Sequence, residues 1–243
     1  MTNWPAAPAE LPALDHTVHV WAVRLDDGNV DVDTGREMLS SDERERATRF
    51  YFDGDRRRYL VAHIALHEIL GRYLPSDPSH LCFDLGPNGK PKLPAVLVSS
   101  GVEFNLSHSN EIALLAVSGA GAVGVDIEYA KPEFKFQDIA ERFFTAREVA
   151  ALRKLPPDLQ RQAFFKCWTS KEAFLKAKGT GLSGKLDEVE IDLTAAGQVR
   201  INADVPAWSL TELIFASEYE AALVTQRKPA TIRYYLWHAA ISA

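Results

Sequence analysis

The chain has 243 residues, of which 47% are hydrophobic and 25% charged, as is ordinary for a globular protein that buries a core. Its formal net charge of -6 argues against general binding to nucleic acids, which usually needs a basic surface. Cys82 and Cys167 form neither a disulfide framework nor a zinc-binding spacing, so we expect a reducing, cytoplasmic compartment. We expect no signal peptide at residues 1–12, and no apolar run is long enough to span a membrane.

Residues 1–120 begin with a proline-rich lead-in, which we predict to be loose as far as about Asp15. Ser40 to Glu43 are typical of a helix N-terminus, because a serine cap is followed by acidic residues. Apolar residues at helical spacing predict a second helix over residues 59–73. Apolar and β-branched runs predict strands over residues 18–23, 102–106 and 112–117.

Residues 121–243 predict a strand over residues 123–128 and then three helices. The helices are expected over residues 139–144, after the capping box at Thr145 and Glu148, and over residues 160–178. Short strands then alternate with turns, over residues 189–193, 199–202, 208–215, 220–224 and 232–237.

A faint internal repeat links the two parts of the chain. Arg49-Phe50-Tyr51 and Arg142-Phe143-Phe144 each precede a helix, and strands follow the long helix in both parts. We therefore predict an α+β fold of two similar halves, residues 1–120 and 121–243, with the strand at residues 123–128 near their join.

That strand carries two acids in an otherwise apolar run. Because side chains alternate along a strand, Asp126 and Glu128 share one face, and Val125 and Ile127 point into a core. Two acids beside buried apolar residues are costly unless a positive charge lies between them. Mg²⁺ held by two carboxylates, with a phosphate-bearing substrate completing its coordination, fits that need.

Two other patterns are weaker signals. Residues 119–124 match G-x-G-x-x-G, but a β-branched strand follows instead of a helix, so we predict a turn and no dinucleotide site. His63 and His67 have zinc-ligand spacing on a helix, but Ile64 takes the place of the glutamate of H-E-x-x-H. We interpret them as ordinary helix histidines.

Six arginines within fifteen residues predict a basic patch on this acidic chain: Arg44, Arg46, Arg49, Arg56, Arg57 and Arg58. Ser107 and Ser109 flank His108 without a G-x-S-x-G motif, so a hydrolytic serine is not indicated. A serine and a histidine at a strand end can instead bind phosphate.

On the last long helix, Trp168, Glu172 and Lys176 lie on one face at a spacing of four. One interpretation is an exposed pair of Glu172 and Lys176 on an amphipathic helix. The other uses Trp168, because a large aromatic side chain is rarely left on a solvated face. Glu172 would then point into a cleft as the third carboxylate beside Asp126 and Glu128.

These motifs together resemble the 4′-phosphopantetheinyl transferases, and most closely their larger, surfactin-synthetase-activating subclass. The blocks that carry the resemblance run in the family's order from about Ser41 to Leu182: Arg49-Phe50 with Asp55 and Arg58, Gly89-Lys90-Pro91, Phe104 to Ser109, Gly124 to Glu128, Arg142-Phe143-Phe144, and Trp168-x-x-Lys171-Glu172-Ala173-x-x-Lys176. The resemblance implies a pseudo-two-fold pair of α+β halves with the active site between them.

The resemblance also implies roles for individual residues. Asp126, Glu128 and Glu172 would hold Mg²⁺ against the pyrophosphate of coenzyme A, which Lys176 would contact. Further residues would hold the 3′-phosphoadenosine end: Arg44 or Arg46, Arg58, Lys90, His108 and, at its edge, Ser107. The family often has lysines where this chain has Arg44 and Arg46, and arginine can replace them as a phosphate donor. Which of the two arginines does so stays open.

The implied reaction moves the 4′-phosphopantetheine arm of coenzyme A to a serine of an apo acyl or peptidyl carrier protein and releases 3′,5′-ADP. Lys176 and Mg²⁺ would stabilise the developing charge, and Glu172 or a metal-bound water would take the serine proton. We expect a monomer without membrane or nucleic-acid partners. An acidic carrier would dock near the arginines or around Phe143 and Phe144.

Two alternatives remain open at this point. A Mg²⁺-dependent phosphohydrolase would use the same three carboxylates but would leave the separate 3′-phosphate residues unexplained. A non-catalytic carrier-binding protein would not need all three acids, and all three are present.

Overall fold

The computed structural model describes residues 4–86, 90–180, 186–194, 196–201 and 207–239. Gly89, which belongs to a motif block, lies outside the described residues. So do Leu182, where the stretch that carries the resemblance ends, and Asn202, the predicted end of a strand. Of the helices described, none is both long and apolar enough to cross a membrane.

The strands, in chain order, are β1 (Thr17–Arg24), β2 (Asp84–Leu85), β3 (Pro91–Lys92), β4 (Glu103–Ser109), β5 (Ile112–Ser118), β6 (Val123–Tyr129), β7 (Ile191–Leu193), β8 (Val199–Ile201), β9 (Ser209–Leu213), β10 (Tyr219–Thr225) and β11 (Thr231–Leu236). The helices are α1 (Val32–Gly35), α2 (Ser41–Thr48), α3 (Asp53–Gly71), α4 (Gln137–Phe143), α5 (Ala146–Lys154) and α6 (Pro157–Lys178). Every predicted strand and helix is present. The predicted capping box of Thr145 and Glu148 is confirmed, and the predicted N-cap at Ser40 also forms a capping box with Glu43.

The two main sheets do not follow the predicted division of the chain at residue 120. The first has the order β11-β1-β5-β4, in which β11 runs parallel to β1, and the second has the order β6-β10-β9. The last strand of the chain thus returns to the first sheet. The division into residues 1–120 and 121–243 stays a prediction, and β11 lies with the half to which that division does not assign it.

Four layers stack in the order helix, sheet, sheet, helix. One face of the first sheet packs on α3, through residues such as Leu115 and Leu66. Its other face packs on the second sheet, where Val20 and Ile127 share a core. The far face of the second sheet packs on α6, through residues such as Val224. Each half is therefore a sheet with one long helix, and the predicted pseudo-two-fold α+β fold is confirmed.

From Trp4 onward the N-terminal lead-in is packed against the protein, so the prediction of a loose segment is wrong for its described residues. Trp4 is 8% exposed and its ring lies 5.1 Å from that of Phe215. The carbonyl of Pro5 accepts a hydrogen bond from the N–H of Leu236 in β11. Because β11 already lies on β1, the lead-in is held by the same sheet.

Gly124 allows α6 to lie unusually close to β6. A Cβ atom at this position would come within 2.0 Å of the carbonyl oxygen of Ala173 and 2.4 Å of the N of Ala177. Only glycine tolerates such a close approach of two backbones. The glycine at the end of the G-x-G-x-x-G pattern therefore serves helix packing, and the predicted turn precedes it at residues 119–122.

Candidate active site

The two sheets meet where side chains of β4 occupy the free edge of β6. Asn105 Oδ1 accepts a hydrogen bond from the backbone N–H of Val125 at 2.8 Å. Ser109 Oγ accepts one from the N–H of Tyr129 at 3.1 Å. Because an edge strand otherwise leaves such groups unpaired, these contacts fix β6 against the first sheet.

Asp126 is tied to both halves through one carboxylate oxygen. Its Oδ1 accepts a hydrogen bond from Ser107 Oγ on β4 at 2.8 Å. The same oxygen forms an ion pair with Lys176 Nζ on α6 at 2.6 Å. Lys176 Nζ also donates to Ser107 Oγ at 2.8 Å, which closes a triangle between β4, β6 and α6. Ser107, predicted at the edge of the nucleotide end, contacts Asp126 and Lys176 in the structure.

Glu128 and Glu172 lie in the field of the charge of Asp126, and Glu172 also in that of Glu128. Burial raises the pKa of Glu172 to about 7, with further increases from Asp126 and Glu128 and an opposing effect of Lys176. Burial and the charge of Asp126 also raise the pKa of Glu128, although Ser109 Oγ donates to its Oε2 at 2.8 Å. The predicted shared face of Asp126 and Glu128 is confirmed, and the three acids lack sufficient positive charge.

Two oxygens of this acidic group are buried without a hydrogen-bond donor among the described residues: Asp126 Oδ2 and Glu172 Oε1. Such oxygens are costly to bury, and carboxylate oxygens are the ligands that Mg²⁺ prefers. Within the described parts of the chain, no three His, Cys, Asp or Glu side chains converge closely enough to hold a metal ion by themselves. The carboxylate oxygens suit Mg²⁺, and a cation held there would need further oxygen ligands from outside this group.

The position of Glu172 decides between the two interpretations of its helix. Glu172 is 7% exposed, and Lys176 forms its ion pair with Asp126 rather than with Glu172. Trp168, one turn earlier, packs with its ring 6.0 Å from that of Phe164. The exposed pair is therefore wrong, and the carboxylate of Glu172 belongs to the acidic group.

An aromatic cavity of about 220 Å³ adjoins this group. Glu128 and Ser109 form its polar side, and Phe164 and Trp168 form part of its apolar wall. Trp168 of α6 therefore borders a cleft, whereas Glu172 does not line this cavity, and its pointing into a cleft stays a prediction.

Lys171 and Glu148 form a buried ion pair that the sequence did not reveal. Lys171 is 0% exposed, and its Nζ lies 2.8 Å from Glu148 Oε1. Nζ also donates to the carbonyl oxygens of Leu186 and Val189. Because all three of its donors are used within the protein, Lys171 anchors α6 and does not face the site.

The six arginines do not form a free basic patch. Four of them have partners: Arg49 pairs with Glu45, Arg56 with Asp53, Arg58 with Asp55, and Arg57 donates to the carbonyls of Asp27 and Val30. Within the described residues, neither Arg44 nor Arg46 forms an ion pair, and Arg46 lies 5.9 Å from the ring centre of Tyr59. Acidic partners offset the charge of three of the six arginines, whereas Arg44, Arg46 and Arg57 have no ion pair among the described residues.

The other predicted phosphate ligands are separated in the structure. Lys90 Nζ donates to the carbonyl oxygens of Lys176 at 2.7 Å and Val123 at 3.2 Å, and burial lowers its pKa to about 8. His108 is exposed, and alternation along β4 places it on the face opposite Ser107, which is the face that carries α3. Ser107 and His108 therefore serve different sides of the first sheet.

Two family models match consecutive parts of the chain. Residues 30–120 match the model described as the N-terminal part of 4′-phosphopantetheinyl transferases. Residues 122–228 match the model of the 4′-phosphopantetheinyl transferase superfamily.

Curated relatives agree with these models. The chain is 42% identical to the 4′-phosphopantetheinyl transferase HetI of Nostoc sp. over 87% of this chain and 89% of that protein. It is 34% identical to the 4′-phosphopantetheinyl transferase Sfp of Bacillus subtilis over 68% and 70% of the two chains. It is also 28% identical to the human L-aminoadipate-semialdehyde dehydrogenase-phosphopantetheinyl transferase, over 64% and 53%.

The chain therefore belongs to the 4′-phosphopantetheinyl transferase superfamily. It is a transferase that moves the phosphopantetheine group of coenzyme A to a carrier protein. The phosphohydrolase and the non-catalytic carrier-binding protein lose their support, because the matched relatives are named as transferases.

Proposed function

We propose that Asp126, Glu128 and Glu172 hold Mg²⁺ against the pyrophosphate of coenzyme A. The observation that carries this proposal is the pair of buried oxygens without donors, on Asp126 and Glu172, at the junction of β6 and α6. When bound there, Mg²⁺ would neutralise charge on the pyrophosphate as the phosphorus–oxygen bond breaks.

Lys176 would bind the pyrophosphate from the other side. An ammonium group has three donors, and Lys176 uses two of them on Asp126 and Ser107. The third donor is available for a phosphate oxygen and would stabilise the charge that develops on the leaving 3′,5′-ADP.

In the transfer itself, the carrier serine Oγ forms a bond to the β-phosphorus, and the bond from that phosphorus to 3′,5′-ADP breaks. The serine proton needs an acceptor beside the cleft. We assign it to Glu172, because α6 places this acid beside Asp126 and Lys176 at the proposed metal site. Since the nucleophile belongs to the carrier, the chain's own task is to position and neutralise charge.

Residues of the first half would hold the 3′-phosphoadenosine end of coenzyme A: Arg44, Arg46, Arg58, Lys90 and His108. Support comes from Arg44 and Arg46, which have no ion pair among the described residues. A cavity of about 190 Å³ adjoins Arg46, with Tyr59 and Pro91 in its wall, and offers apolar contact for a base beside a guanidinium.

We further propose that the acceptor is an acyl or peptidyl carrier protein and that the enzyme acts as a cytoplasmic monomer. Because three of the six arginines pair with acids of their own chain, the arginines give little guidance on where the carrier docks. Phe144 is only 7% exposed, which makes it a poor contact for a partner.

The test measures the initial rate at which an apo-carrier gains mass, with coenzyme A and Mg²⁺ present. We expect Asp126→Asn and Glu172→Gln to lower kcat about 100-fold or more, because each removes charge that holds the metal. Asp158→Asn, on an exposed acid of α6, is the matched control and should transfer normally. Wild-type rates in both site variants would contradict the metal assignment.

A further inference from the structure

A buried group of three titratable side chains joins α2 to α3. Glu43 of α2 is 8% exposed, and its Oε1 lies 2.7 Å from His63 Nδ1. Its Oε2 lies 3.0 Å from His67 Nε2 and also accepts the N–H and Oγ–H of Ser40 at the helix cap. We call Glu43, His63 and His67 the carboxylate clamp.

The clamp is held by charge-assisted hydrogen bonds. His67 Nδ1 lies 2.9 Å from the carbonyl oxygen of Pro78, which can only accept, and His67 Nε2 faces the carboxylate. His67 Nδ1–H therefore donates to that carbonyl, and the carboxylate of Glu43 faces the other ring nitrogen. Burial by itself raises the pKa of Glu43, but the hydrogen bonds from His63 and His67 outweigh it and the pKa is lowered.

Little else holds α2 in place. It has eight residues, and its buried side chains are Glu43 and Ala47 alone. An alanine buries little apolar surface, and so short a helix is not stable by itself in water. The clamp, rather than a hydrophobic stripe, therefore sets where α2 lies on α3.

The same helix carries two of the arginines that lack an ion pair among the described residues. Arg46 lies one turn after Glu43, and its guanidinium lies 5.9 Å from the ring centre of Tyr59. The ring of Tyr59 lies 4.1 Å from that of His63. All four of these residues line the cavity of about 190 Å³ beside α2. A displacement of Glu43 or His63 would therefore also displace Arg46.

We propose that the carboxylate clamp positions α2 so that Arg44 and Arg46 meet the 3′-phosphate of coenzyme A. This inference rests on the proposed function, which places that phosphate at α2. The clamp itself touches no substrate, and Glu43, His63 and His67 are positioning residues. They set affinity for the phosphate without taking part in the transfer step.

The test compares coenzyme A with 3′-dephospho-coenzyme A as donors in the carrier assay. We expect Glu43→Ala to raise KM for coenzyme A about tenfold, which corresponds to one charge-assisted hydrogen bond, with kcat within about twofold of wild type. KM for the dephospho donor should not change, because that donor has no phosphate for Arg44 or Arg46 to bind. A purely structural defect would affect both donors alike.

Two further variants complete the experiment. Glu45→Ala removes an exposed acid of the same helix that pairs only with Arg49, and it should keep both KM values. Glu43→Gln keeps one acceptor oxygen, either for His63 or for His67 and Ser40, and places an amide NH2 on the other side, so we expect it to recover only part of the preference for coenzyme A. It also gives a folded protein to measure if Glu43→Ala does not fold.

The possible outcomes separate the two proposals. If wild type prefers coenzyme A and every folded Glu43 variant keeps the full preference, the clamp has no positioning role and the proposed 3′-phosphate site stands. If wild type binds both donors equally well, the 3′-phosphate site is wrong and the clamp inference falls with it.

Discussion

At the scale of single residues, the candidate site differs from the core in how its buried polar atoms without hydrogen-bond partners are grouped among the described residues. Asp126 Oδ2 and Glu172 Oε1 lie together in one acidic group, whereas His19 Nε2 is a single such atom among aromatic rings. A cluster of acceptors calls for a cation, but a single neutral imidazole nitrogen only costs stability.

His19 predicts a pH dependence of stability that is separate from the active site. Burial, with the charge of Arg233, lowers the pKa of His19 from 6.5 to about 4. Between these pH values the unfolded chain binds more protons than the folded one, so the free energy of unfolding falls as the pH falls through this window. We expect His19→Phe, beside Tyr73 and Tyr235, to remove about 2–3 kcal/mol of that decrease.

Urea unfolding at pH 7 and pH 4.5 measures this effect. His80→Phe, at an exposed histidine, is the control and should retain the wild-type decrease. An identical decrease in wild type and His19→Phe would show that His19 does not stay neutral in the folded protein.

At the scale of elements, the contact between β6 and α6 sets the geometry of the site, since it brings Asp126 together with Lys176 and Glu172. We expect Gly124→Ala to force the two elements apart, because the new Cβ would overlap the backbone of α6. The free energy of unfolding should fall by about 3 kcal/mol, and transfer should be lost from the protein that still folds.

Denaturant unfolding together with the carrier assay measures both effects. Gly28→Ala is the matched control, because nothing lies within 4 Å of a Cβ atom there. Unchanged stability and unchanged transfer in Gly124→Ala would mean that the close approach is not required.

The sequence predicted those elements that leave a periodic pattern. The shared face of Asp126 and Glu128 followed from the two-residue period of a strand, and it is correct. The helix α3 begins at Asp53, six residues before the predicted residue 59, because its first turns are charged and carry no apolar period. The helix α1 and the hairpin of β2 and β3 are too short to leave a pattern.

Contacts between distant residues explain what the sequence analysis missed. Burial of Lys171 depends on Glu148, which reaches it only through the packing of α5 on α6. Neutralisation of the arginines was visible in principle, since Asp53 precedes Arg56 by three residues and Asp55 precedes Arg58 by three. Counting arginines without their helical neighbours overestimated the basic patch.

At the scale of the whole molecule, the site exists only where the two halves meet. Ser107 comes from the first sheet, Asp126 from the second, and Lys176 from the helix that covers the second. The resemblance implied a site between two halves, but no pattern within either half indicates which side chains of β4 reach β6. The three-residue contact of Asp126, Ser107 and Lys176 required the structure.

The proposed metal site predicts that transfer at this junction requires Mg²⁺. The most direct measurement is the intact mass of an apo-carrier protein after incubation with the wild-type enzyme and coenzyme A, with Mg²⁺ in one sample and a chelator in the other. We predict that the carrier gains one phosphopantetheine group on its serine with Mg²⁺ and none with the chelator. Transfer at the same rate in both samples would contradict the account.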